Sequence, residues 1–391
     1  MRVTFACGSS LAIVVASCAA PSGAPADSGI DVHPSDAADA VDSNDASVAD
    51  VKQETSTPTE DAGSLAWFPG NYVLLNSTDN ATTELEAVLA STTDSVFDGV
   101  EKRYDWVASE GAEGDYTQGV ANIESDLAAV DAAGKKLLVF LVYKTFTAGQ
   151  HTVPSYMLST GPWCSGTTCG EVAMSNGVTA MIWLPGVATR LHAWIAGLAT
   201  SLLVSPHIGA LAGIVFPETA CSGCDTTNTS YDQPTYLAAL EGNTTAAIAA
   251  FPNTVVFQYI NFFPPNNTAN MYLVSYADFA LATPHAGLGC PDLAPLFDPP
   301  EYAVLEAAKY QGFVPIAPAV ENPDFGSGRA SPDGGVAATY ALGIDPSSQG
   351  GMSAQIISWS NSNDSSNVFT LDDVAAYIKT HPNPNTAPPM W

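Results

Sequence analysis

The sequence predicts an α/β fold, a (β/α)8 TIM barrel preceded by a disordered N-terminal segment. From Trp67 onward, strand-length runs of β-branched and aromatic residues alternate eight times with longer, helix-patterned stretches. That count, over a region of this length, suits a barrel with long loops. A doubly wound open sheet would bind its ligand at a glycine-rich turn after the first strand. Here that turn reads "NSTDN", and no Walker loop occurs elsewhere.

Each element has a local reason. The apolar run "NYVLL" (71–75) is the first strand, with a helix over 82–91. "SVFDGVEKRY" (95–104) is the second strand. The helix over 117–134 places Val120, Ile123, Leu127 and Val130 on one face and stops at Gly134. "KKLLVFLVYKTF" (135–146) is the third strand and the one most strongly marked in the sequence; after a long loop, 179–203 reads as helix entered near Pro185. "ALAGIVFPETA" (210–220) is the fourth strand, backed by a helix over 233–251. "TVVFQYINFF" (254–263) is the fifth, backed by 268–281. "HAGLGCPD" (285–292) is the sixth, followed by a helix over 300–312 with a Gly stop. "FVPIAPAVE" (313–321) is the seventh strand, interrupted by prolines that cannot donate to a ladder, with a helix over 332–344. "SAQIISWS" (353–360) is the eighth. The last helix, 370–381, opens on Thr370 as N-cap ahead of Asp372 and Asp373.

The chain begins "MRVTFACGSSLAIVVASCAA": a positive start, a short apolar core and small residues, the plan of an export signal over 1–18. Val15-Ala16-Ser17-Cys18 resembles a bacterial lipobox, which would make Cys18 the lipidated first residue; the alternative is an ordinary cleaved signal with a chance cysteine. Residues 19–64 carry ten acids against Lys52 and no aromatic residue, so they cannot bury enough apolar surface to order themselves. They read as an acidic Ala/Ser/Asp/Pro-rich spacer before a barrel domain over 65–391. The expected place is the outer membrane or cell surface, otherwise secreted or periplasmic, with membrane contact only through the lipid anchor.

Across the whole sequence 40 Asp and Glu face 11 Lys and Arg, a formal charge of −29, which argues against nucleic acid and anionic membrane surfaces as partners. In an exported protein the close pairs Cys164/Cys169 and Cys221/Cys224 are read as local disulfides, leaving Cys290 unpaired. The histidines are scattered without metal-binding spacing and no Gly-x-Ser-x-Gly elbow occurs, so neither a metal centre nor a serine hydrolase is expected. No cofactor is expected, and the chain is read as a monomer.

In such a barrel the active site lies at the carboxyl ends of the strands. Those ends supply Arg103 and Trp106, Tyr143 and Lys144, Glu218, Tyr259 and Asn261, Asp292, Glu321 and Asn322, and Trp359. Carboxylates, amides, aromatics and a few cations around a cup suit a carbohydrate ligand. The stretch "YDWVASEGAEGDYTQGVANIESDLAAVDAAGKKLLVFL" is similar to the strand-two to strand-three region of clan A glycoside hydrolases, with Trp106 and Glu110, then Gly114 and Tyr116, then Ala-Gly-Lys before the third strand. The resemblance implies a retaining glycosidase with Glu218 as acid/base and Glu321 as nucleophile. It also implies substrate contacts from the other strand-end residues, including a tryptophan after strand eight. Where that family usually has Asn before its strand-four Glu, this chain has Pro217. The competing expectation is a non-catalytic, glycan-binding surface lipoprotein with a degenerate barrel.

Overall fold

The computed structural model describes residues 65–78, 82–228, 230–264, 271–347 and 350–390. The predicted export signal, Cys18 and the acidic spacer lie outside them. Eight parallel strands form the core: β1 (Gly70–Thr78), β2 (Gly99–Asp105), β3 (Lys136–Val142), β4 (Leu211–Phe216), β5 (Val255–Tyr259), β6 (Ala286–Gly289), β7 (Ala319–Val320) and β8 (Ile356–Ser360). They pair in the order β6-β5-β4-β3-β2-β1-β8-β7. Bridges between Leu288 and Ile316 and between Asp292 and Val320 close the ring. This is the predicted (β/α)8 barrel.

The closing seam is irregular for a chemical reason. Pro315 and Pro318 have no N–H, so the seventh strand is reduced to two residues and its ladder is broken at every proline, with Ala317 and Ala319 still donating to the Leu288 and Cys290 carbonyls at 2.8 Å each. Leu288 donates to the Pro315 carbonyl (2.8 Å) and Ser358 to the Pro318 carbonyl (3.1 Å). The side chain of Gln355 accepts from the Ile316 N–H at 2.8 Å, replacing a ladder partner.

Each strand is followed by a helix that packs on the barrel, α1 (Thr82–Ala90), α2 (Thr117–Ala132), α3 (Pro185–Leu202), α4 (Gln233–Ala250), α5 (Met271–Ala282), α6 (Tyr302–Leu305), α7 (Gly335–Ile344) and α8 (Leu371–Ile378), with further single turns over Trp106–Ser109 and Cys224–Thr227. Gly134 ends α2 with φ of 66°, a left-handed conformation that glycine adopts without a Cβ clash. Thr370 and Asp373 exchange the predicted capping bonds at the start of α8.

Two expectations are corrected. The stretch 179–184 is not helix: Gly177–Ala180 pairs antiparallel with Glu171–Met174 and Lys144–Thr145 in a small sheet, and α3 starts only at Pro185. The helix expected over 300–312 is one turn long. Beyond it, Tyr310 bonds back to Ala307 and Gln311 reaches the Glu306 and Gly351 carbonyls (3.2 and 2.8 Å), so tertiary bonds override helical propensity.

Strand alternation sorts side chains into two cores. Val73, Val100, Tyr104, Val139, Leu141, Ile214, Phe216, Leu288 and Trp359 pack outward against the helices. Tyr72, Leu74, Leu138, Phe140, Val142, Val215, Phe257, Tyr259, Ala317 and Ala319 fill the barrel. Leu65, Trp67 and Phe68 pack against this inner cluster, and the Tyr72 hydroxyl donates to the Phe68 carbonyl at 2.8 Å.

Candidate active site

Alternation on β2 sends Glu101 and Arg103 into the barrel and Lys102 and Tyr104 outward. Lys102 and Tyr104 both bond Asp126 of α2, at 2.6 and 2.7 Å. Glu101 is fully buried, and its carboxylate accepts from the Tyr259 hydroxyl (2.9 Å) and the Ser358 hydroxyl (2.5 Å). Burial raises its pKa to about 6, against the pull of those two bonds. Tyr259 is thus committed to a barrel-interior bond.

One pleat further along β2, Arg103 lies over the Phe140 ring and pairs with Glu321, just past β7, at 2.8 Å. About a third of the Glu321 side chain is accessible (32%), so it is anchored yet reachable. Asn322 is exposed beside it. The Glu321 N–H donates to Asp324 at 2.8 Å, and Arg329 bridges Asp324 (2.9 Å) and Asp292. Four of the expected residues, Arg103, Asp292, Glu321 and Asn322, therefore belong to one arc of the mouth.

The other arc holds Glu218, two residues past β4. Asn261, beyond β5, donates its amide to the Glu218 carboxyl at 2.6 Å. The segment beneath is held by backbone-directed bonds. Lys144 donates to the carbonyls of Glu218 and Ala220, and Gln258 to that of Pro217. Tyr236 donates to the Thr219 carbonyl at 3.0 Å, and the Thr219 N–H to the Tyr259 carbonyl at 3.1 Å. Pro217 thus sits where its carbonyl accepts from a buried side chain.

The two acids feel each other. Burial raises the pKa of Glu218; Lys144 and the Asn261 bond oppose this, and Glu321 and Asp292 add to it. Burial also raises that of Glu321, while Arg103 pulls it down and Asp292 pushes it up. The hydrogen-bond partner of one carboxyl is a neutral amide and that of the other a guanidinium, and each acid has a cation opposing its rise, Lys144 at Glu218 and Arg103 at Glu321.

Four further predicted contact residues are buried and turned to other uses. Trp106 is fully buried, stacked on Trp194 of α3 (5.7 Å between ring centres), with its N–H on Glu110 at 2.7 Å. Glu110 also accepts from Tyr156, Arg190 and the Gly114 N–H, so this group ties loops together. Trp359 has outward parity on β8, because Ser358 faces in; its indole bonds Asn71 at 3.0 Å. Tyr143 packs outward against Phe216. Lys144 is buried too, and serves the chain's own carbonyls.

Sequence reading missed Glu101, Asp324, Arg329 and Glu301. Arg329 carried a signal: it is the sole Lys or Arg between Lys309 and Lys379. Among the described residues no group of three or more His, Cys, Asp or Glu is placed to hold a metal ion. Both predicted disulfides are present, Cys164–Cys169 and Cys221–Cys224, and Cys290 is free and buried.

No protein-family model and no curated protein sequence matches the chain. Solved structures share its fold. The catalytic domain of a β-amylase from Paenibacillus polymyxa superposes with a TM-score of 0.56 at 11% identity, over 83% of this chain and 100% of that one. A GH5_18 structure from Streptomyces cattleya, in complex with Manβ1-4GlcNAc, gives 0.50 at 13% identity, over 74% and 70%. An exo-β-1,4-mannosidase from Opitutaceae bacterium strain TAV5 gives 0.46 at 14% identity; this chain spans 54% of its length. The shared property is the α/β barrel, a fold on which glycoside hydrolases are built.

Proposed function

We propose that the protein is a retaining glycoside hydrolase acting on a polysaccharide or glycoconjugate. The observation that carries this reading is the unequal partnering of two strand-end carboxyls, Glu218 on Asn261 and Glu321 on Arg103. In this mechanism Glu218 gives its proton to the glycosidic oxygen as that oxygen leaves with the bonding electrons. Glu321 attacks the anomeric carbon and forms a glycosyl ester. Glu218, now ionised, then takes a proton from water, whose oxygen displaces Glu321 and restores both groups. Arg103 pulls Glu321 toward its ionised form and orients it, and Asn261 fixes the Glu218 carboxyl. The export signal and acidic spacer fit such an enzyme held at a cell surface through Cys18, which metabolic lipid labelling would test.

A glycan and aryl-glycoside panel on the full chain is the test. Glu218→Gln should lower turnover about 10²–10⁴-fold on substrates with poor leaving groups. Glu321→Gln should abolish turnover, and a 2-deoxy-2-fluoro glycoside should label Glu321 in the wild type. Wild-type rates in both variants would sink the proposal.

A further inference from the structure

A buried cation lies beneath one of the two acids. Lys144 stands two residues past the barrel's third strand, where the chain leaves for the small sheet; it pairs with Thr179 there. It is 4% exposed, so no substrate reaches it. Its ammonium donates to the backbone carbonyls of both Glu218 and Ala220. The same turn is closed one residue later by the Cys221–Cys224 disulfide. The small sheet touches it again, where the Ser175 N–H donates to the Ser222 carbonyl at 3.0 Å. The backbone carrying Glu218 is thus strapped to the excursion after β3 through Lys144 and Ser175.

We propose that Lys144 is a positioning residue for Glu218: it clamps the carbonyls on either side of Thr219 into one turn and so fixes where the Glu218 carboxyl stands. This rests on the reading of Glu218 as the acid. A clamp of this kind is worth more than its two bonds. Removing it leaves two carbonyls in a water-poor setting without their charged donor. It also removes the positive charge that faces the carboxyl.

The charge has a consequence that a structural peg would lack. Lys144 is the strongest opposing charge on Glu218; Glu321, Asp292 and the side chain of Asn261 face it too, and Tyr236 and Glu301 respond to the charge of Glu218. Burial lowers the Lys144 ammonium to about 8, with Glu218 opposing the fall, so the clamp is charged at neutral pH and discharges just above it. Without the cation, Glu218 holds its proton to higher pH.

The test compares Lys144→Met, Lys144→Gln and Lys144→Arg in the full chain, with folding checked by thermal melting. Two readouts are taken: kinetics, and direct titration of the Glu218 carboxyl by ¹³C NMR, assigned with Glu218→Gln. Lys144→Met should lower kcat by about 10²-fold with KM little changed. It should also move the Glu218 titration, and the alkaline limb of kcat/KM, up by about one pH unit or more. Lys144→Arg should restore much of both. A folded Lys144→Met with unchanged kcat and unchanged Glu218 titration overturns the proposal. If that variant does not fold, titration in Lys144→Gln decides: moved upward it supports the clamp, unmoved it overturns it. A wild type inactive on every glycan would sink the hydrolase reading alone, because the carboxyl titration still tests Lys144.

Discussion

Glu301 is buried, and no other described residue hydrogen-bonds either of its carboxyl oxygens. Burial raises its pKa to about 8, with Asp292 and Glu218 adding to the shift. The folded protein therefore keeps a proton there that the unfolded chain releases near the ordinary value of 4.5. The native state binds more protons over that interval, so this contribution to stability is complete below pH ~4.5 and is lost as pH rises through about 8. Glu301→Gln keeps the shape and removes the ionisation. Its melting temperature should match wild type at pH 4.5 and exceed it at pH 8.5; equal melting at both would refute the assignment. At this scale the sequence was partly legible. Glu218 and Glu321 were found because each ends an apolar run. Their partners were not assigned, because Asn261 lies 43 residues from Glu218 and Arg103 lies 218 from Glu321. Only the folded barrel makes them neighbours.

Elements are joined by bonds whose loss should be felt as stability. The Lys102–Asp126 pair, completed by Tyr104, fastens β2 to α2 with both charged side chains almost fully buried (4% and 5% exposed). Asp126→Ala leaves a buried ammonium without its counter-charge and should cost about 3–5 kcal/mol, read as a fall in the urea midpoint. A midpoint at the wild-type value would show the pair to be dispensable. Element type was legible wherever periodicity was strong, as in α2 and β3. It failed where tertiary bonds outweighed local preference, as in the single-turn α6. Parity was the subtler failure. A tryptophan near the end of β8 was readable; that Ser358, not Trp359, faces Glu101 depends on how β8 registers against β1 and β7.

At the scale of the molecule, the count of strand–helix units was enough to give the barrel, since few folds accommodate eight. The formal charge of −29 has a consequence of its own. It repels polyanionic glycans over a range of about 30 Å at 0.01 M salt and about 8 Å at 0.15 M. If the proposed hydrolysis holds, kcat/KM on a carboxylate-bearing glycan should rise with salt while that on a matched neutral glycan stays level. Equal salt responses would show that the field does not reach the cup.

Glycine at 287 and 289 of β6 leaves the barrel interior bare on one side, and the rings of Phe257 and Tyr259 lie within 2.5 Å of where those missing Cβ atoms would stand. One strand's absent side chains are thus the berth for its neighbour's rings. A methyl group at either glycine would evict a ring that the whole interior leans on. A smaller residue at 257 would deepen the interior without moving a backbone atom. The same cut at 259 would unhitch Glu101. Variation in the packing of the barrel interior should therefore enter through residue 257 first, which makes that ring the adjustable stop of an otherwise fixed vessel.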